Sequence, residues 1–209
     1  MFFMKRKFLA FSLLIIAIFS MGAAKNSDEK KRMGIFISNF TELGMYEFDL
    51  EEEGSDEILH LGDPYSAGEL IRFGVGHNIL NNKKLIQKCS RKNCEFGSSV
   101  IAKESVAASV RKYFDIDIKH QKVLGDAPEI DYDGKFYHFD KNSWNSDTIY
   151  YADVQEVDKG KNFITMQGEL YELDNPKHRP AVFVAKAKPY KWNNKDTWAI
   201  LSLSVEWTE

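Results

Sequence analysis

In the stretch IYYADVQEVDKGKNFITMQGELY (residues 149–171), two runs rich in β-branched and aromatic residues, 149–157 and 162–171, flank the polar turn Asp158-Lys159-Gly160-Lys161. Two more runs of the same kind follow at 181–188 and 197–206. Asn175-Pro176 and Pro180 bound the first of these, and Trp192-Asn193-Asn194-Lys195-Asp196 precedes the second. Consecutive strands joined by short polar turns predict an antiparallel meander. Just before these runs, Tyr132-Asp133-Gly134-Lys135 carries the Asp-Gly signature of a tight hairpin between Ile130 and Phe136–Phe139. Ile116, Ile118 and His120 alternate with polar residues, as a strand would.

Upstream the periodicity changes. Asp63-Pro64 is a good helix start, an acidic N-cap followed by proline at the first helical position. Ala67, Leu70, Ile71, Gly74 and Asn78 then share one face, flanked by Phe73, His77 and Leu80, and Asn81-Asn82 ends the helix. Gly68, Gly74 and Gly76 are costly inside a helix and imply that another element packs closely there. A second helix is predicted over 103–114 from Val106, Ala107, Val110, Tyr113 and Phe114. Near the start of the chain, residues 25–33 read as a loose polar arm and Ile35-Phe36-Ile37 as a short buried strand. Helices first and strands afterwards predict an α+β domain over 25–209, with two helices in the N-terminal half packed on an antiparallel meander sheet of about five to six strands.

Residues 1–24 read as a secretory signal peptide. Lys5, Arg6 and Lys7 precede an apolar run from Phe8 to Phe19, and Gly22, Ala23 and Ala24 offer a small-residue cleavage site. Cleavage after Ala24, or after Gly22 or Ala23, fits this pattern; an uncleaved anchor is the alternative, although the run is short for a membrane span. No cysteine follows the run, which argues against a lipoprotein. The expected location is the periplasm or the exterior of a bacterium. Removing 24 of 209 residues takes three positive charges and no acids from a chain of formal charge −3, leaving 185 residues at −6. That balance disfavours nucleic acid and, once the signal is gone, membrane as partners.

Export governs the reading of Cys89 and Cys94. In an oxidising compartment, a pair separated by Ser90-Arg91-Lys92-Asn93 is most simply a disulfide, worth about 2 kcal/mol for so small a ring. A redox dithiol has two intervening residues, and a zinc site requires more ligands than the nearby sequence supplies. Residues 83–102, with Lys83, Lys84, Lys88, Arg91 and Lys92, are expected to form an exposed hairpin clipped by that bond, its charges solvated or offered to an anionic partner. Glu51-Glu52-Glu53-Gly54-Ser55-Asp56-Glu57 reads as a solvated acidic loop without calcium-loop spacing.

No catalytic fingerprint is present: G-x-S-x-G, H-E-x-x-H, a P-loop and a dinucleotide motif are all missing, so no catalytic residue, cofactor or metal is assigned. Of the histidines, His77 beside Asn78 stands on an apolar helix face and is expected to be structural. His120 and His138 could approach one another if their strands were neighbours. Trp198 and Trp207 are expected to fill the sheet's core, with Trp144 and Trp192 covering its edge.

Phe36-Ile37-Ser38-Asn39-Phe40-Thr41-Glu42, then Glu69-Leu70-Ile71-Arg72-Phe73 with His77-Asn78, then Arg111-Lys112-Tyr113-Phe114, resemble the spaced blocks of certain uncharacterised exported bacterial proteins and lipoproteins. Gly74 and Gly76 depart from that pattern, where larger helix residues are expected. The resemblance brings no activity with it; it implies that Ser38, Asn39, Glu42, His77 and Asn78 gather into a polar cluster. Export, size and missing motifs together point to a non-catalytic binding or interaction module, of inhibitor or immunity type in its most specific form, with a protein or a peptidic or glycan envelope ligand as partner. A small periplasmic hydrolase with a His77-centred site, assisted by Ser38 or Glu42, is the alternative.

The mature protein is expected to begin near Lys25. Intact-mass measurement of exported protein checks this, and a mass retaining residues 1–24 would contradict a soluble periplasmic assignment.

Overall fold

The computed structural model describes residues 27–50, 64–91, 94, 96–125, 128–144 and 148–208. The proposed signal peptide, the acidic loop and the Asp63 cap lie outside these residues. Among the described residues, three helices and two antiparallel sheets make an α+β fold, with the helices in the N-terminal half. Among the described residues no helix is long and apolar enough to cross a membrane.

Helix α1 spans 27–41 and replaces both the loose arm and the strand expected around Ile35. Met33, Phe36, Ile37 and Phe40 recur at helical spacing and are buried, whereas Ile35 is 60% exposed on the opposite side. A triplet of apolar residues thus conceals a 3.6-residue period that becomes visible when Met33 and Phe40 are included. Strand β1 (Glu47–Asp49) follows, then helix α2 (Pro64–Asn81), the hairpin of β2 (Gln87–Lys88) and β3 (Ser99–Ala102), and helix α3 (Lys103–Phe114). The second hairpin, β4 (Asp131–Tyr132) and β5 (Phe136–Phe139), turns at Asp133-Gly134, where Gly134 has φ +94°. Residues 116–120, expected as a strand, lie outside any strand. There Ile116 and Ile118 pack on the core and His120 meets Tyr137.

The meander is β6 (Tyr150–Lys159), β7 (Ile164–Glu172), β8 (Ala181–Trp192) and β9 (Lys195–Trp207). It forms a five-stranded sheet in the order β1-β9-β8-β7-β6, and the hairpin strands form a separate sheet in the order β2-β3-β5-β4. Asn193 and Asn194 both take left-handed backbone angles (φ 50° and 62°) between the paired residues Trp192 and Lys195. This is the two-residue turn whose twist matches that of its strands.

Helices α2 and α3 serve both sheets. Leu70 and Phe73 of α2, with Val110, Tyr113 and Phe114 of α3, join the core on the five-stranded sheet. Ile71 and Val75, with Val106, pack against Ile101, Ile130, Tyr137 and Phe139 on the smaller one. Helix α2 is therefore buried all round from Leu70 to Asn78. The close packing inferred from its glycines is present. A Cβ on Gly74 would lie 2.7 Å from a Val106 methyl and 2.9 Å from the Val106 carbonyl oxygen, and one on Gly76 would run into the Trp144 indole. The tryptophan expectation holds only in part. Trp198 is partly buried against the core with its ring tilted against Phe36, but Trp207 is 44% exposed, packed with Tyr46 and Tyr150 at one end of the sheet.

Helix α1 lies along the free edge of β6. The Ser38 hydroxyl accepts the Ala152 N–H (2.9 Å), and the Thr41 hydroxyl donates to the Tyr150 carbonyl (2.7 Å). At the bulge between Val154 and Glu156, the Lys30 ammonium donates to the carbonyl of Gln155. Gly34 permits this approach, since a Cβ there would stand 2.6 Å from the Ala152 carbonyl oxygen.

Gly34→Ala is expected to lower stability by about 1–3 kcal/mol, because the clash is with strand backbone that cannot yield, and this outweighs the gain in helix propensity of about 1 kcal/mol. Gly68→Ala, which would meet only a Val123 methyl at 3.3 Å, is expected to be near neutral. Thermal unfolding of the two variants checks the contrast.

Candidate functional site

Where α1 meets the outer face of β6 and β7, the surface opens into a cleft of about 630 Å³. Lys30, Lys31, Asn39 and Glu42 line one wall, Tyr151 and Tyr171 the other, and Asn81 closes the end toward α2. The two tyrosines are cross-strand partners with ring centroids 6.0 Å apart. Burial raises the Glu42 carboxyl above the ordinary range, opposed by a hydrogen bond from Asn81, and burial together with the Glu42 charge raises the Tyr151 phenol.

Of the five polar residues expected to cluster, Asn39, Glu42 and His77 belong to one chain of contacts. The Asn81 amide bridges Glu42 and His77, 3.3 Å from His77 Nδ1. Asn39 Oδ1 accepts the Tyr113 hydroxyl (3.0 Å), and the Tyr113 ring stands edge-on to His77 at 4.8 Å. Ser38 faces β6 instead, donating to the Gly34 carbonyl (2.8 Å) while accepting from Ala152. Asn78 faces α3: its amide donates to the Gly74 carbonyl (2.7 Å) and the Ser109 hydroxyl (2.8 Å), and its oxygen accepts from Asn82 (3.1 Å). Ser38, Asn39 and Glu42 line the cleft, and His77 and Asn78 do not.

His77 is 4% exposed and stacks on Phe73 at 5.7 Å. Burial, reinforced by the Lys112 charge, lowers its pKa to about 4, so the ring is neutral at physiological pH. Lys112 lies over the Tyr113 ring at 4.5 Å and donates to its hydroxyl (2.9 Å). Of the other members of this network, the sequence marks Tyr113 as part of a helix face, Asn81 as a helix end and Tyr151 as one of a pair facing opposite sides of a strand, but assigns none of them, nor Tyr171, a place in the site. Asn39 and Glu42 sit three residues apart along the end of α1, a relation that appears only once that segment is read as a helix.

A second concentration of reactive groups lies on the four-stranded sheet. The expected Cys89–Cys94 disulfide is not formed, and both residues are free thiols. Their side chains converge on a common neighbour instead: each Sγ is 3.4 Å from His138 Nδ1. His138 comes from β5, more than 40 residues away, so a search for ligands adjacent in sequence misses it. His138 and Asp131 are cross-strand partners on one face of this sheet, and Tyr137 and Tyr132 on the other. His120 meets the Tyr137 face, with Nδ1 2.7 Å from the hydroxyl, so the sheet separates the two histidines. Arg91 is not an isolated basic group: it pairs with Asp133 at 2.8 Å and with Asp131 at 3.4 Å.

Because folding holds His77 below its ordinary pKa of 6.5, its neutral form stabilises the fold above about pH 6.5, and that contribution is lost as pH falls toward 4. His77→Ala is expected to cost about 1–3 kcal/mol through the cavity and the unpaired Asn81 amide. His77→Gln should flatten stability between pH 6.5 and 4, measured by urea unfolding across that range.

Protein-family models, curated proteins and solved structures yield no match to this chain.

Proposed function

We propose that this protein is an exported, non-catalytic binding module that recognises a peptidic or glycan ligand of the bacterial envelope in the cleft between α1 and the β6–β7 face. The observation that carries this reading is the composition of the cleft. Two half-buried tyrosine rings offer flat apolar surface, and the Glu42 carboxyl, steadied by the Asn81 amide, supplies a directional polar group beside it, while Asn39 is committed to the Ile35 carbonyl and to Tyr113. Stacking surface bordered by a few fixed polar groups suits sugars and extended peptides.

The commitments of the neighbouring polar groups favour binding over hydrolysis. The Ser38 hydroxyl is engaged on both its donor and acceptor sides in holding α1 to β6. His77 is neutral, lies outside the cleft wall and is held against Asn81, Phe73 and Tyr113. Neither is arranged as half of a nucleophile–base pair. Lys30 and Lys31 at the cleft's rim add a preference for ligands bearing a carboxylate, as peptide termini and acidic sugars do.

The test is titration of the protein with soluble peptidoglycan fragments, followed by tyrosine fluorescence and amide chemical shifts. Binding is expected to perturb residues of α1, β6 and β7. Tyr151→Ala and Glu42→Gln should each weaken it about tenfold while leaving the unfolding midpoint within a few degrees of wild type, the loss expected for one stacking or charge-assisted contact. Shifts confined to other surfaces, or cleavage of the fragments abolished by His77→Gln, would overturn the reading.

A further inference from the structure

We propose that Cys89, Cys94 and His138 form a binding site for a thiolate-preferring divalent metal ion, zinc in the first instance, with Asp133 positioning the histidine. The site is distinct from the cleft and does not depend on its reading.

The three candidate ligand atoms, two Sγ and His138 Nδ1, lie within 4.8 Å of one another. Tetrahedral zinc with bonds of about 2.3 Å to sulfur and 2.0–2.1 Å to nitrogen places a sulfur and a nitrogen ligand about 3.5 Å apart. Both Sγ–Nδ1 separations are 3.4 Å, so two edges of that tetrahedron already exist.

The histidine is prepared for the role by its other nitrogen. Asp133 sits in the β4–β5 turn, where its Oδ1 accepts the backbone N–H groups of Lys135 (2.9 Å) and Phe136 (2.7 Å). Its Oδ2 lies 2.9 Å from His138 Nε2. A carboxylate there accepts a hydrogen bond from Nε2–H, which keeps the proton on Nε2 and leaves the Nδ1 lone pair facing the two sulfurs. Carboxylate–histidine–metal chains have this form, and the carboxylate fixes tautomer and ring orientation. His138 is 3% exposed, which locks its ring, while Cys94 is only partly buried and leaves a route for the ion.

The charge balance is also suitable. Asp131 and Asp133 are already offset by Arg91 and Lys122, so two thiolates would bring −2 to a site that a divalent cation neutralises. Binding releases two protons, one from each thiol, and forms two metal–sulfur bonds and one metal–nitrogen bond without any redox change. Three protein ligands leave the fourth position to water or to a ligand from outside.

The experiment is anaerobic titration of the full chain, reduced and then freed of reductant, with Co(II), followed by competition with Zn(II). One equivalent should produce thiolate-to-cobalt charge-transfer bands and the intense visible bands of a tetrahedral site, and Zn(II) should bleach them. Cys94→Ser and His138→Gln should abolish the tetrahedral spectrum. Asp133→Asn, with an unchanged far-ultraviolet circular dichroism spectrum, should weaken metal affinity 10–100-fold, the range expected for an outer carboxylate. A tetrahedral spectrum that survives His138→Gln would overturn the proposal, since the cysteine pair alone would then suffice. So would a protein whose reduced thiols titrate freely yet give no cobalt spectrum, or one that closes the Cys89–Cys94 disulfide in preference to holding Zn(II).

Discussion

A β-sheet in water must do something with its outermost strand, because half the backbone groups of that strand point at nothing. In this protein β6 is the long outermost strand, opposite the three-residue β1, and α1 is fitted to it at the level of single atoms. Gly34 lets the helix backbone approach the Ala152 carbonyl, Ser38 takes the Ala152 N–H, and Thr41 serves the Tyr150 carbonyl. Docking in that register delivers Phe40 to the centre of the molecule. Its ring lies within about 6 Å of those of Phe36 on the same helix, Phe48 on β1, Phe73 on α2, and Tyr113 and Phe114 on α3. The cleft exists because the same helix stands proud of the sheet's outer face. Edge protection, aromatic core and candidate binding surface are thus three effects of one helix–strand contact.

The second organising feature is the shared helical layer. An α2 helix with one apolar face could serve only one sheet, and its glycines would then be a pure loss of helix propensity. Apolar on both sides, it joins two cores, and the missing side chains at Gly74 and Gly76 are where α3 and Trp144 enter. Asn78 is the polar counterpart of that fit. It is 1% exposed, has every described contact satisfied, and ties α2 to Ser109 of α3. The Arg72 guanidinium, also in α2, reaches the Pro128 carbonyl (3.2 Å) beside the smaller sheet.

Local signals carried the meander, the Asp-Gly hairpin and the two later helices, since period and turn chemistry act within a dozen residues; the hairpin over 83–102, expected to be exposed and clipped by a disulfide, instead buries β3 and holds two free thiols. The Asp-Gly turn and the 103–114 helix were legible almost to the residue. What was not legible depends on partners far along the chain. Ile35-Phe36-Ile37 satisfies a strand pattern over three residues, and only the longer spacing from Met33 to Phe40 distinguishes a helix. Trp207 is as apolar as Trp198, and nothing local indicates that one lies at the end of a sheet where Tyr46 and Tyr150 half-cover it. The polar cluster inferred from Ser38, Asn39, Glu42, His77 and Asn78 divides because neighbours on a helix point in different directions. Ser38 and Asn39 are adjacent in sequence, yet one serves β6 and the other Tyr113. The thiol pocket depends on cross-strand register, which places His138 beside Cys89 only after β2, β3 and β5 have paired.

The strand order has a temporal consequence. Each strand of the meander from β6 to β9 pairs with its successor in sequence, so these contacts close short loops and form quickly. The two elements that finish the sheet, α1 on β6 and β1 on β9, are separated from their partners by more than 100 residues. They close the largest loops in that sheet and so carry its greatest loop-closure cost. Without them the sheet has two bare margins and the helix an uncovered row of Met33, Phe36, Ile37 and Phe40. Any chain in which these N-terminal elements are undocked therefore offers either margin to a strand from a second molecule.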